Sequence, residues 1–332
     1  MRMNFKPSFL LQNRHLQTIY ASLFRRTLIE NFEIEKFRLS DGDFVECYWH
    51  KIDNHQKNTP IVILFHGLAG SYTSPYIQGV MQELNKAGFS SIVMHFRGCS
   101  GKQNCKPRSY HSGDTQDASE FIQAVTKRYP QAKIFAVGFS LGANMLLKLL
   151  GEKQFTCKLS AAVGVSAPML LDVCATHMNR GFSKFYQKLL LKSLQKDLEK
   201  KYDTFAMEKL INLKKNEIKK LTSFWKFDDA YTAPIHGFSS AEDYYKKSSC
   251  RQFLKDIKTP TLIIHAEDDP FMPPSILPTK NETSQYIHLE ISKYGGHVGF
   301  VSGNIFYPEY WIEKRVVKFF TDFLEEEIQD ET

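Results

Sequence analysis

No apolar run in this 332-residue sequence approaches the roughly 18 residues that a membrane-spanning helix needs. Near the amino end, MRMNFKPSFLLQNRH offers only Phe9 to Leu11, too short for the core of a signal peptide. A soluble, cytoplasmic protein is therefore expected. Cysteine is sparse. Cys47, Cys99, Cys105, Cys157, Cys174 and Cys250 are scattered, with no C-x-x-C pair and no zinc spacing. That argues against a disulfide framework or a structural metal and for free thiols. Low-complexity tracts and internal repeats are missing. With 42% apolar residues, the composition also lacks the signature of disorder.

Charge of one sign is confined to a single place. The net charge is +7. Between Lys184 and Lys226 stand twelve lysines against five carboxylates, which accounts for the whole excess. The pattern argues against a chain-wide nucleic-acid footprint and for one basic surface.

What the sequence does hold is an alternation of strands and helices. Asn31–Lys51 alternates and breaks at Asp41-Gly42, which predicts an antiparallel hairpin. PIVILFHG (Pro60–Gly67), FSSIVMHFRG (Phe89–Gly98), AKIFAVGF (Ala132–Phe139), SAAVGVSAP (Ser160–Pro168) and PTLIIHAEDDP (Pro260–Pro270) are short apolar runs, as expected of strands buried on both faces. YIHLEIS (Tyr286–Ser292) is a further strand. Helices are predicted over Ser74–Lys86, Asp114–Arg128, Leu141–Leu150 and Trp311–Phe323. The alternation predicts a mostly parallel central sheet flanked by helices. Met169–Ser248 breaks the rhythm with lysine-rich helical segments. Residues 1–168 and 249–332 then form the core, and residues 169–248 a helical cap inserted over the sheet's carboxyl end, where open α/β sheets bind ligands.

Gly138-Phe139-Ser140-Leu141-Gly142 is a G-x-S-x-G sequence between a predicted strand and a predicted helix. Small residues there let strand and helix approach around a sharply bent, exposed serine. Packing alone is the other explanation. A serine hydroxyl needs a base, and the base needs an orienting acid. Chain order places the acid and then the histidine on loops after later strands. Asp268 and Asp269 follow one strand, and Asp269, directly before Pro270, is favoured. His297, in the glycine-rich SKYGGHVGF, is the one histidine in the right order and type of loop. HGLAGS (His66–Ser71) follows the first buried strand, where oxyanion donors are expected. The backbone N–H groups of Leu68 and Leu141 are the candidates, with His66 bracing the loop. An ordinary strand-end turn is the alternative.

NRHLQTIY, HGLAGS, HFRGCSG, PRSYHSGDTQD, GFSLGAN, AEDDPFMP and YGGHVGF together resemble the α/β-hydrolase superfamily, and in particular its YheT-like branch, the AB hydrolase type-4 family. The resemblance spans about Asn13 to Phe300. It implies a serine hydrolase whose triad falls on Ser140, Asp269 and His297, with no cofactor and no metal. Eukaryotic members are commonly membrane-anchored through an amino-terminal segment and act on lipids. No such segment stands in this sequence, so anchoring is not expected to transfer. Arg97 braces loops or meets a substrate carboxylate or phosphate. His15, Gln17 and His111 are candidate pocket residues.

The lysine-rich insertion also carries apolar residues, among them Phe182, Phe185, Leu189 and Trp225. It can act as a lid over an acyl pocket, rest on anionic lipid, or be an ordinary solvated cap. Two functions are open: hydrolysis of small-molecule or lipid carboxylic esters, or ligand binding without catalysis on the same scaffold.

Overall fold

The five continuous apolar runs become the middle of one sheet, because strands covered on both faces have no polar side to present. The computed structural model describes residues 5–25, 29–52, 54–304 and 306–330. Its eight-stranded sheet comprises β1 (Glu33–Arg38), β2 (Phe44–His50), β3 (Ile61–Phe65), β4 (Ser90–Met94), β5 (Ile134–Phe139), β6 (Ala161–Val165), β7 (Thr261–Ala266) and β8 (Ile287–Ser292). The spatial order is β1-β2-β4-β3-β5-β6-β7-β8. β1 and β2 form the antiparallel hairpin expected around Asp41-Gly42, and β2 joins β4 antiparallel. Every later pairing is parallel.

Helices cover both faces. They are, in order, α1 (Arg14–Phe24), α2 (Pro75–Lys86), α3 (Gln116–Arg128) and α4 (Leu141–Gly151), followed between β6 and β7 by α5 (Leu171–His177), α6 (Ser183–Thr204), α7 (Met207–Ile211), α8 (Phe224–Phe227), α9 (Ala233–Ile235) and α10 (Ala241–Ser248). The chain closes with a short hairpin, β9 (Val301–Gly303) and β10 (Pro308–Tyr310), and α11 (Trp311–Asp330). α2 and α11 share one core with the sheet, and α3 and α4 share the core on the opposite face. α4 is buried along all eleven of its residues. Its apolar character on every side suits a helix wrapped by sheet and loops rather than one facing water. Neither α1 nor the β9–β10 hairpin is among the elements expected from sequence.

β6 and β7 are direct neighbours, Ala162 opposite Thr261 and Val165 opposite Ile264. The residues between them add helices and no strand among the described residues. This segment holds a small core of its own, including Leu191, Leu198, Met207, Ile211 and Ile218. It is tied to the helix and loops beside the sheet by polar side chains. Asn144 of α4, fully buried, donates to the carbonyls of Ser112 and Ser248 (2.8 Å each) and accepts from the N–H of Cys250 (2.9 Å).

Lys201 of α6 is a second tie. Its buried ammonium donates to Asn104 Oδ1 and to the carbonyls of Lys106 (2.8 Å) and Arg108 (3.4 Å). Burial pulls its pKa down to about 8, more than Asp43 pulls it up. Folding therefore sheds a proton between about pH 8 and the ordinary lysine value of 10.5. The unfolded chain holds more protons in that window, so the contribution of Lys201 to stability rises with pH across it. Urea unfolding of wild type and Lys201→Met is expected to show a gap that moves in favour of wild type from pH 8 to 10.5. A pH-independent gap contradicts the burial argument.

Candidate active site

β5 runs into α4 with no connecting loop, and Ser140 is the joint. Its backbone takes φ +52° and ψ −118°, which a serine adopts only when its surroundings impose it. The Ser140 N–H extends the sheet ladder by donating to the carbonyl of Val165 (2.8 Å). The flanking glycines are required by contact. A Cβ on Gly138 would strike the backbone of Gly142 and Ala143, and one on Gly142 the carbonyls of Phe65 and His66. The turn thus lifts the Ser140 side chain above the carboxyl ends of β3 and β5.

The two later loops arrive where chain order predicts. His297 Nε2 lies 2.9 Å from Ser140 Oγ, and His297 Nδ1 lies 2.8 Å from Asp269 Oδ2. With Nδ1 carrying the proton toward the carboxylate, Nε2 is free to accept from the hydroxyl. Asp269 is buried at 1% exposure, and its Oδ1 accepts from the N–H of Phe271 (2.8 Å). Asp268 turns the other way and accepts from the N–H of Gly296 (2.9 Å), so it holds the loop that carries His297.

Contacts that no sequence pattern revealed fix the imidazole. Phe271 stacks on it with ring centres 4.0 Å apart and planes 12° from parallel. Thr18 Oγ1 of α1 accepts from the His297 N–H (2.9 Å). One residue before it, fully buried Gln17 donates to the carbonyls of Leu11 (2.7 Å) and Val301 (3.0 Å) and accepts from the Val301 N–H (2.7 Å). The HLQT stretch therefore acts as a brace behind the histidine loop, and Gln17 is placed there rather than in the cavity.

On the opposite side of Ser140, the HGLAGS loop presents Leu68, and α4 begins with Leu141. Among the described residues neither N–H has a hydrogen-bond acceptor, and both residues line the same cavity as Ser140. The loop is held from three directions. His66 Nδ1 donates to the carbonyl of Gly67 (2.8 Å), while its Nε2 accepts from the Phe96 N–H (3.1 Å). Burial lowers the His66 pKa to about 3, so the ring is a neutral brace. Tyr76 Oη accepts from the Gly67 N–H and Tyr110 Oη from the Ala69 N–H, each at 2.9 Å. Neither tyrosine has a role that its sequence pattern reveals. Their one signal is a place in the SYTSPY and PRSYHSGD stretches that flank the strands.

The remaining candidates separate. Arg97 is committed to carboxylates: Nε and Nη2 donate to Asp117 (2.6 Å each), and Nη1 to Asp41 (2.8 Å) and Asp43 (2.9 Å). Its geometry is that of a brace. His15 is half-buried outside the cavity lining, within 3.2 Å of the Tyr186 hydroxyl through Nδ1, and packs on Phe182, so it joins α1 to α6. His111 does line the cavity, with Nδ1 accepting from the Gly113 N–H (3.1 Å).

Ser140 and His297 open into a cavity of about 560 Å3. Leu171 and Cys174 of α5, Leu190 and Leu194 of α6, and Phe224 and Phe227 of α8 form an apolar wall. Thr18, Ala21 and Ser22 of α1 line it from the amino-terminal side. Such a chamber, largely apolar with a few convergent polar groups, suits a small organic ligand. Among the described residues no cluster of three or more histidine, cysteine or carboxylate side chains is placed to hold a metal. All six cysteines are free. No helix of the described residues is long and apolar enough to cross a membrane.

Residues 60–302 match the family model for the alpha/beta hydrolase fold. The chain is 40% identical over 321 residues to a protein of Escherichia coli named "Putative esterase YheT", covering 97% of this chain and 94% of that one. It is 31% identical over 265 residues to the monoacylglycerol lipase of Saccharomyces cerevisiae, covering 77% of this chain and 59% of the relative. Among solved structures, the Pyrococcus furiosus esterase Pf2001 superimposes with a TM-score of 0.57 at 18% identity, over 89% of this chain and 91% of that chain. At that identity the structural likeness speaks to fold alone. Sequence and architecture agree, and the chain belongs to the α/β-hydrolase fold family, in its YheT-like branch.

Proposed function

We propose that this protein hydrolyses carboxylic esters through an acyl-enzyme on Ser140. One observation carries the reading: the hydrogen-bonded relay from Ser140 Oγ through His297 to buried Asp269, opening into a largely apolar cavity. Ser140 Oγ attacks the ester carbonyl while His297 Nε2 takes its proton. Asp269 keeps the Nδ1 tautomer and offsets the imidazolium charge. The N–H groups of Leu68 and Leu141 receive the oxyanion, and one such donor contributes about 3–4 kcal/mol in comparable hydrolases. The alcohol leaves with the proton from His297. Water, activated by the same imidazole, then frees the acid. The experiment is acid-quenched turnover of p-nitrophenyl acetate followed by intact-mass and peptide analysis. One acetyl group on Ser140 is expected. Ester turnover with the acetyl group trapped on a different residue contradicts the mechanism.

A lipid-ester reading within this class has its own support. On α6, Lys184, Lys188 and Lys192 recur every fourth residue and are exposed. Beside them Phe182, Phe185 and Leu189 are each about half exposed (53%, 51% and 53%). A basic ridge next to an apolar one is the pattern of a helix that rests on an anionic membrane. Sedimentation with vesicles is expected to retain the protein on phosphatidylglycerol-containing membranes and not on pure phosphatidylcholine. Replacing Phe182, Phe185 and Leu189 with serine should abolish retention. Equal recovery from both vesicle types contradicts the docking.

A further inference from the structure

One group in the cavity wall has no part in this mechanism. Asp228 lines the cavity, with Oδ1 accepting from Thr232 Oγ1 (2.7 Å) and Oδ2 from Tyr245 Oη (2.6 Å). Tyr245 belongs to an apolar cluster with Leu171, Ala175, Ala233 and Tyr244. No lysine, arginine or histidine among the described residues supplies Asp228 with a counter-charge. Burial raises its pKa to about 6, so the carboxylate is still ionised at neutral pH. An ion set into such surroundings without a partner is costly, and the two hydroxyls leave acceptor sites on the carboxylate unused. The backbone is unusual at the same point. Asp228–Thr232 forms a π-helical turn between α8 and α9. Such widened turns are rare and concentrate at functional sites.

We infer that Asp228 receives a hydrogen-bond donor, a hydroxyl or an ammonium group, carried by the substrate away from the scissile ester. The inference rests on the ester-hydrolase reading and narrows its substrates. An all-hydrocarbon chain reaching this wall would strip the last solvent from a carboxylate and return nothing. A donor-ended chain replaces that solvent with a charge-assisted hydrogen bond.

The test uses methyl esters of ω-hydroxy, ω-amino and methyl-ended acids over a series of chain lengths. At the best length, donor-ended esters are expected to be turned over about tenfold more efficiently than methyl-ended ones of equal size. The hydroxy and amino arms show which donor is preferred. Asp228→Asn, which removes the charge, should cut the ratio severalfold, and calorimetric binding to the Ser140→Ala protein should show the same preference without chemistry. Asp228→Glu, which keeps the charge and advances it by one methylene, should shift the preferred length downward; it also serves if the asparagine variant does not fold. No donor preference at any length, or one that Asp228→Asn leaves undiminished, overturns the inference while leaving ester hydrolysis standing. Donor-selective binding that depends on Asp228, with no ester turned over, supports the Asp228 site and defeats the hydrolase reading.

Discussion

Ser140→Ala is expected to lower p-nitrophenyl ester turnover by roughly 10^4- to 10^6-fold, the range seen when a triad nucleophile is removed. The loss should appear in kcat with little change in melting temperature. Ser140 Oγ meets the His297 ring, and its backbone rather than its side chain continues the sheet and starts α4. Alanine removes the attacking atom and leaves those backbone bonds. The retained positive φ adds no new strain, because alanine carries the same Cβ as serine. His297→Ala is expected to cost a similar factor, and the double variant little more than either, since the two act as one unit. Steady-state kinetics on purified variants, with circular dichroism to verify folding, checks all three. Turnover that persists in Ser140→Ala points to another nucleophile.

The second large effect is on stability. Arg97→Ala is expected to destabilise the fold by about 3–5 kcal/mol, as when one member of a buried charge network is deleted. The Arg97 side chain is 1% exposed, and its partners Asp43 and Asp117 are 0% and 5% exposed. Without the guanidinium, buried Asp43 loses its charged partner, and Asp117 keeps only Arg108, 3.4 Å away. Burial pushes Asp43 up, but hydrogen bonds from Asn104 and backbone N–H groups, with the Arg97 charge, hold its carboxyl below the usual range. Its contribution is present above the unfolded carboxylate pKa and is lost as pH falls through the folded one. In the variant the carboxylates protonate more easily, so the gap to wild type should narrow in acid. Arg97→Lys should recover only part of the loss, since an ammonium cannot reproduce the two parallel bonds to Asp117. Urea unfolding at neutral and acidic pH measures each difference.

Much of this architecture was legible in the chain because its signals are local. A strand buried on both faces shows itself as an apolar run, and Ile61–Phe65 or Ile134–Phe139 needs no partner in view to be recognised. Ser140, Asp269 and His297 could be picked out as candidates because they follow β5, β7 and β8, whose carboxyl ends lie along one edge of a parallel sheet. Asp269 was separable from Asp268 by the proline that follows it, and the structure gives Asp268 a different task, holding Gly296.

What stayed hidden depends on contacts between distant positions. Nothing near Gln17 announces that it will bond Val301, or that Thr18 will hold the backbone of His297. Phe271 reads as an ordinary aromatic until the fold lays it against the imidazole. Asp228 sits in a lysine-rich stretch where a carboxylate looks solvated, and only the fold brings Tyr245 and Thr232 against it at the cavity wall. The strands Val301–Gly303 and Pro308–Tyr310 are three residues each, too short for alternation to be visible.

The central claim is that one hydroxyl has been made nucleophilic by an oriented imidazole. Labelling of the native protein with a fluorophosphonate, followed by peptide mapping, tests it most directly. Rapid, single-site modification of Ser140 is expected, abolished by prior heat unfolding and strongly slowed in His297→Ala. A native protein that stays unlabelled, or carries the label on a different residue, would contradict the account.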